Sequence, residues 1–580
     1  MKYFRIIFSI ILFSMIGVSC EKDLLDKNPL DEITSADFFR QTNDMIIYLN
    51  RFYTLDLLPF ATMGDAYDRG IFEFDLGVSD NEIHQSSVDD RLNGVRTVPA
   101  SGGGWDYSYA RKINFFFDNY RKCEDDFEKY KKYVGEAHFF RALIFYQLLE
   151  RFGDILWYGH MLQTNSPELY APRMPRNEVM DKILADLDTA AMYLPEEKSD
   201  NGLRPDKWTA LAYQSRYALY EGTWEKYHAG DPFGVSGADP DKFLRKAVEA
   251  AETIMNSNRF KIYTTGHPEK DYNELFILRD YSNNPEIMFW KKFDKALNIT
   301  NFRNIQFLYP YGLGLTKGVA DSYLCTDGSP ITVSPLFGGY DTIADEMRDR
   351  DPRFAQSIWT PDAPWMVEDG TVTTWGEGVY SKLFAKSKYS TPTGYVLRKG
   401  YDPDVSTHDL AGEDNPAYFI RYAEVLLNYA EAKAELGEIT QGDIDETVNV
   451  LRDRVGMIHL DISSIETDPA WDFPDLSPVI NEIRRERRIE LLCEGFRWDD
   501  IARWAAADEL IVGKRPRGFK PGNSFPKDKF PVDENGFQDP FLNMIPDGYG
   551  FVLDRDYLDP LPQDQLTLNP SLHQNPGWGQ

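Results

Sequence analysis

Apolar residues recur through long tracts of the chain at the 3.6-residue spacing of one-sided helices. Between Tyr133 and Phe152 the stripe is Ala137, Phe140, Ile144, Leu148 and Phe152. Just before it, from Trp105, Tyr109, Ile113, Phe116, Phe117 and Tyr120 form a first run. The period returns over Asn177–Tyr193, Asp206–Tyr220 and Asp241–Met255, and again over Tyr418–Leu436 and Asp443–Val455, with Gly437 as a stop signal between the last two. An earlier helix is expected from Ala36, capped by Ser35, with Phe38, Met45, Leu49 and Phe52 on its buried side. Consecutive helices with small alanines at their crossing points predict αα-hairpins of the tetratricopeptide type, without a strict repeat. No single hairpin buries its own apolar face, so hairpins stack.

Two tracts break the period. The first, from Pro59 to Gly104, is Gly, Asp, Asn and Ser with scattered aromatics. The second, from Asp271 to Pro416, holds a strand-like run at Pro285–Phe293, then Gly- and Tyr-rich loops and a short β segment near Tyr395–Arg398. Long irregular segments in compact proteins tend to carry function. From Lys514 the chain is rich in Pro and Gly and is expected to run as extended coil over the helices. The fold class is therefore mostly α: tetratricopeptide-like helical hairpins, a loop-rich face and minor β segments. Residues 35–270 form an N-terminal helical region and 271–580 a second region packed with it as one lobe.

The stretch Ile483–Trp504 (I-R-R-E-R-R-I-E-L-L-C-E-G-F-R-W-D-D-I-A-R-W) combines a helical stripe at Ile489, Leu492, Phe496, Ile501 and Trp504 with dense charge. Arg484, Arg485, Arg487 and Arg488 stand three or four positions from Glu482, Glu486, Glu490 and Glu494, where helix side chains meet. Two readings follow: a phosphate-binding arginine cluster, or an intramolecular ion-pair network. The second is expected, as a clamp between the hairpins and the C-terminal coil.

The N-terminus changes the cellular picture. Lys2 and Arg5 precede an apolar run, Ile6–Val18, that is too short to span a bilayer. Gly17-Val18-Ser19-Cys20 then places small residues before a cysteine. Residues 1–19 are expected to be a signal peptide, Cys20 the lipidated mature N-terminus, and 20–34 a tether; two or three acyl chains hold a protein stably on a membrane. A formal net charge of −30 excludes nucleic acid as a partner. Aromatic residues make up 14% of the chain and supply flat faces for ring-shaped ligands. Cys123, Cys325 and Cys493, an odd number at wide spacings, are not a disulfide framework, and Cys493 is expected as a small buried hydrophobe in a helix stripe.

These segments, in order, resemble the SusD/RagB family of outer-membrane nutrient-binding lipoproteins. The resemblance is carried by the signal ending at Cys20, by G-E-A-H-F-F-R-A-L-I-F-Y-Q-L-L-E-R-F-G-D-I from Gly135, and by P-E-I-M-F at Pro285. It continues through D-P-R-F at Asp351, Phe419 to Gly437, the arginine-rich stretch and the closing N-P-S-L-H-Q-N-P-G-W. It implies a non-catalytic, lipid-anchored protein on the outer membrane, facing the cell surface. Its partners would be an oligosaccharide or, in some branches, a peptide, and a SusC-like TonB-dependent transporter. Contact with the membrane would be through the N-terminal lipid alone.

A sugar site needs aromatic faces and a few orienting polar groups. The first irregular tract offers Asp65, Tyr67, Arg69, Asp80, Asn81 and Trp105, and the second offers Phe307, Tyr309 and Tyr311. The resemblance implies a ligand face built from loops in these two parts of the chain. The expected binding residues are Tyr67, Asp80, Asn81, Trp105, Phe307, Tyr309 and Tyr311. Trp365 and Trp375 stand in reserve, and Trp290 is expected in the core. The chain carries no G-x-S-x-G, H-E-x-x-H or C-x-x-C motif. Asp402, Asp404, Asp409, Glu413 and Asp414 form an acidic loop without the EF-hand spacing for Ca²⁺, so no cofactor or metal is expected. The alternatives are a secreted glycan hydrolase and a peptide- or protein-binding helical scaffold.

Overall fold

The main helices are α1 (Thr42–Leu49), α2 (Ser108–Asn119), α3 (Phe127–Phe152), α4 (Arg176–Tyr193), α5 (Lys207–Tyr227) and α6 (Pro240–Asn256), followed by α7 (Tyr422–Glu435), α8 (Val448–Val455), α9 (Pro478–Glu490) and α10 (Arg497–Arg503). They come from a computed structural model that describes residues 38–54, 57–58, 72, 75, 77–378, 382, 388–521 and 531–579. The signal segment, Cys20, the tether, Asp65, Tyr67 and Arg69 lie outside the described residues. Carboxylates and hydroxyls start the helices where the sequence places them. Asp126, Asp206 and Asp239 accept the backbone N–H groups of Glu128, Thr209 and Lys242 at 3.1, 2.8 and 3.2 Å.

Neighbours in sequence are neighbours in space: α3 packs on α4, α4 on α5 and α5 on α6, and α7 closes against α6. The apolar stripes meet in one large core, which also takes in Leu491, Ile501, Trp504, Phe541 and Leu572 from the far end of the chain. A second core gathers Tyr272, Phe276, Trp290, Phe307, Tyr323, Trp359 and Tyr418. Among the described residues no helix is long and apolar enough to cross a membrane.

Several boundaries differ from the sequence reading, each for a local reason. Helix α1 starts at Thr42, because Phe39 sits at φ 68° and turns the chain, and the Asp44 carboxylate accepts the Gln41 N–H at 3.0 Å; Ser35 and Ala36, the expected cap and start, lie outside the described residues. The run expected as helix from Tyr418 opens as a strand. Ala417–Arg421 pairs antiparallel with Ile287–Lys291, putting Trp290 opposite Tyr418. Its apolar residues are continuous rather than periodic, and burial on both faces selects the strand. The helix expected over 443–455 breaks at Thr447. The 483–504 stretch is two helices joined by a turn in which Cys493 (φ 58°) and Gly495 (φ 87°) are left-handed. Cys493 is buried as expected, but in that turn rather than in a helix stripe.

The arginines of that stretch are paired, mostly not along their own helix. Arg485–Glu482 and Arg503–Asp500 are i,i+3 pairs at 3.3 and 2.8 Å, but most other partners come from elsewhere. Arg421 reaches Glu490 at 2.7 Å, Glu494 at 2.7 Å and Glu286 at 2.8 Å. Arg454 meets Glu490 at 2.5 Å, and Arg353 pairs with Glu486 and Asp351. Arg487 and Arg503 share Asp500 at 2.9 and 2.8 Å, while Arg484 lies on Glu435 and 4.1 Å from the centroid of the Trp504 ring. Burial pushes the Glu490 carboxyl up, yet Arg454, Arg421 and Arg353 outweigh it and hold it well below the usual carboxylate range.

Among the described residues the ion pairs of the clamp therefore join α9 to α7, to the 286 and 353 segments and to the N-terminal loop, while the C-terminal coil meets the stretch through rings, Trp498 lying 6.1 Å from Phe551. The coil is pinned by other arginines. Arg91, Arg96 and Arg151 converge on Asp559 at 2.5, 2.6 and 2.8 Å, and Arg173 donates to Asn575 at 2.7 Å.

The link to the N-terminal loop is pH-sensitive. Asp80 is gripped by Arg488 at 2.8 Å and Arg497 at 2.6 Å. Burial pushes its carboxyl up, and the two guanidiniums overcome this and bring it down to about 2. A depressed carboxylate stabilises the fold fully above its unfolded value and loses that contribution as pH falls through the folded one. Asp80→Asn is expected to lower stability at pH 7 by about 2 kcal/mol and to flatten the decline between pH 4 and 2. Urea melts across that range test this, and parallel pH profiles for the two proteins would refute it.

Candidate functional site

The two irregular tracts meet. The strand Glu82–His84 from the first pairs antiparallel with the strand Leu313–Leu315 from the second, with His84 opposite Leu313. The Gln85 N–H donates to Gly312 O at 2.8 Å, and Thr316 donates its N–H to Asn81 O at 2.9 Å and its hydroxyl to Asp80 O at 2.6 Å. A third segment closes the seam: the N–H groups of Tyr311, Gly312 and Leu315 donate to the carbonyls of Lys388, Ser390 and Tyr395 at 3.0, 2.8 and 2.9 Å.

On this seam stands a group of tyrosines. Tyr309 and Tyr311 lie edge to face at 5.9 Å, and Tyr389 contacts Tyr309 at 5.3 Å in the same manner. Tyr311 is 39% exposed, and Tyr309 and Tyr389 are half-buried. The Lys388 ammonium is 3.6 Å from the centroid of the Tyr309 ring, and Lys382 is 5.3 Å from that of Tyr389. The presentation depends on backbone that most residues avoid. Tyr311 sits at φ 50° and Gly312 at φ 90°, and a Cβ on Gly312 would fall 2.6 Å from the Gln85 side-chain nitrogen. His84 lines the same seam. Burial lowers its pKa, a hydrogen bond to the Tyr311 backbone opposes this, and Ser86 Oγ lies 2.9 Å from its Nδ1.

The other expected binding residues are used inside the fold. Asp80 is held by two arginines, and Asn81, 1% exposed, donates to Asp75 at 2.9 Å and accepts from Arg488 at 3.0 Å. Trp105, 8% exposed, packs edge-on against Phe152 at 4.9 Å, and Phe307, 2% exposed, lies against Phe72. In this structure the polar atoms or ring faces of these four are engaged by packing and ion pairs, Asp80 alone staying part-exposed, so they do not stand on the tyrosine face. Trp375 is buried in a stack on Trp359 at 4.5 Å, Trp365 is half-buried with its carbonyl taken by Tyr401, and Trp290 is core as expected. Tyr389, Lys388 and His84 were not among the expected residues.

The acidic loop is occupied by the protein itself. Arg279 lies 3.6 Å from Asp402 and 3.2 Å from Asp414, and Lys295 meets Asp409 at 3.1 Å. Glu413 accepts the Asn304 N–H at 2.7 Å, and burial pushes its carboxyl up to about 7. Among the described residues no group of three or more His, Cys, Asp or Glu is arranged to hold a metal.

A half-open pocket of about 230 Å³ is lined by Tyr146, Glu150, Arg216, Tyr217, Glu424 and Asp499, among others. Arg216 forks onto Glu424 at 2.6 Å. Burial, then the adjacent Glu150, pushes the Asp499 carboxyl well above the ordinary carboxylate range.

Two family models match successive parts of the chain: the SusD family over residues 304–578, and a family described as starch-binding, associating with the outer membrane, over 104–219. SusD-like protein P2 of Formosa agariphila is 27% identical across the full length of both chains. SusD-like protein P38 of the same organism is 23% identical over 88% of this chain and 93% of its own. Among solved structures, a SusD-like carbohydrate-binding protein of Bacteroides fragilis superposes with a TM-score of 0.69 over 92% of this chain and all of its own, at 22% identity. A laminarin-binding SusD-like protein does so with a TM-score of 0.57 over 93% of this chain and all of its own, at 18% identity. The mostly helical fold is thus the SusD-like fold, and the chain matches SusD-type family models over residues 104–219 and 304–578.

Proposed function

We propose that this protein is a non-catalytic, surface-exposed lipoprotein that binds an oligosaccharide on the Tyr309–Tyr311–Tyr389 face and passes it to a SusC-like TonB-dependent transporter in the outer membrane. The observation that carries the reading is the seam itself. It brings both irregular tracts together and leaves three tyrosines at its surface, next to polar groups of His84, Gln85 and Ser86. Tyrosine rings at different tilts offer flat surfaces to the C–H faces of successive sugars. Cys20, acylated after removal of residues 1–19, would hold the protein on the membrane through lipid alone. The names of its relatives, starch-binding and laminarin-binding among them, support a glycan as the ligand class.

Hydrolysis finds less support. A glycosidase needs two carboxyls separated by at least about 5 Å across an open groove. Asp499, whose carboxyl burial pushes well up, is in hydrogen-bond contact with Glu150, too close to leave a sugar ring between the two. The purified protein, incubated for days with a glycan it binds, is expected to leave the chain length unchanged by size-exclusion chromatography. Cys20→Ala is expected to release the protein from the membrane fraction. Shortened glycan would overturn the non-catalytic reading, and a Cys20→Ala protein that stays with the membrane would overturn the lipid anchor.

A further inference from the structure

The tyrosine face carries positive charge in a protein that is otherwise strongly negative. Between Glu377 and Asp402 the sequence has no carboxylate, yet it includes Lys382, Lys386, Lys388, Arg398 and Lys399. In a chain with 93 acidic and 63 basic side chains, so long an acid-free basic run stands apart. The structure puts two of these lysines at the ligand face: Lys388 over Tyr309 at 3.6 Å and Lys382 by Tyr389 at 5.3 Å.

Both are exposed, and among the described residues no carboxylate pairs with either ammonium, whereas Lys295, Lys317 and Lys399 are matched to Asp409, Asp321 and Glu494. A hydrogen bond to the Tyr309 side chain raises the Lys388 pKa, so its ammonium is charged at neutral pH. Lys388 covers the Tyr309 ring, which leaves Tyr311 as the freest stacking surface, with a cation beside it.

We infer that the ligand of the tyrosine face is an anionic glycan, whose carboxylate or sulfate groups are met by Lys382 and Lys388 while its rings stack on Tyr311 and Tyr389. The inference rests on the binding function proposed above and specifies its ligand class. A net charge of −30 repels polyanions over most of the surface, and screening at physiological salt confines each charge's reach to about 8 Å. An acidic sugar is therefore held only where a local cation faces it. A neutral glycan would gain only ordinary hydrogen bonds from the two ammonium groups, whereas a carboxylate or sulfate would add charge pairing to them.

The test is titration calorimetry of the mature chain with three probes: laminarin oligosaccharide as the neutral one, oligogalacturonate for carboxylate and carrageenan oligosaccharide for sulfate ester. Binding is expected to oligogalacturonate or to carrageenan, and the probe that binds identifies the source of the charge. Lys388→Gln is expected to weaken that binding about tenfold and to reduce its salt dependence, with the thermal midpoint unchanged. Lys382→Gln serves as the second variant. Laminarin binding that Tyr311→Ala abolishes and Lys388→Gln leaves intact would overturn the anionic ligand and keep the glycan site. Binding of no probe, or binding indifferent to Tyr311→Ala, would overturn both readings.

Discussion

Replacing Arg421 by alanine is expected to destabilise the protein by about 3–5 kcal/mol, the range for removing one partner of a buried ion network. Arg421 is 1% exposed and donates to Glu286, Glu490 and Glu494 and to the Glu490 carbonyl, so the substitution strands charge that water cannot reach. Arg454 and Arg353 still serve Glu490, and Lys399 still serves Glu494 at 2.5 Å. Glu286 is worst off, because its remaining cation, Arg454, lies at 3.6 Å. Urea denaturation followed by tryptophan fluorescence measures the loss, and Arg421→Ala with Glu286→Gln should recover part of it. A loss below about 1 kcal/mol would show that the network contributes specificity rather than stability.

The second large effect falls on binding. Tyr311→Ala is expected to weaken glycan affinity by about 1–3 kcal/mol, roughly a tenfold to hundredfold change in Kd. Stability should change little, because Tyr311 is 39% exposed and its ring meets Tyr309 edge to face. Tyr389→Ala should act in the same direction, and Arg487→Ala in the opposite pattern, lowering stability without changing the affinity of the folded molecules. Calorimetry paired with thermal melts separates the two cases. Undiminished affinity in Tyr311→Ala would remove the tyrosine face as the site.

The helices were legible wherever one face is buried and the other wet, since that condition writes a 3.6-residue period into the sequence; α3 to α6 each lie within a few residues of their expected ends, apart from the earlier start of α3 and the later end of α5. Where an element is buried all round, the period vanishes, and so 417–421 read as the start of a helix although it is a strand. The arginine stretch was legible as ion pairs but not in its partners. Charge spacing along one helix says nothing of Glu286, Asp351 or Asp80, which reach it from far away in sequence.

The same blindness split the site. Tyr309 and Tyr311 stood out because a Pro-Tyr-Gly turn cannot bury its rings easily. Asp80 and Asn81 drew attention for the same loop-like composition, yet they face inward to arginines more than 400 positions later. Tyr389 and Lys388 were missed, although the absence of acids around them was there to be read.

Those long reaches also set the order in which the molecule can assemble. Asp80 waits for Arg488 and Arg497, and Asp75 for the backbone N–H of Cys493, each across more than 400 residues. A growing chain holds the early acids long before their partners exist, so the tyrosine seam and its neighbours close only once nearly the whole polypeptide has emerged. Closure at such sequence distance is slow. A truncation ending before α9 would leave these carboxylates unmatched and the early helices open to proteases.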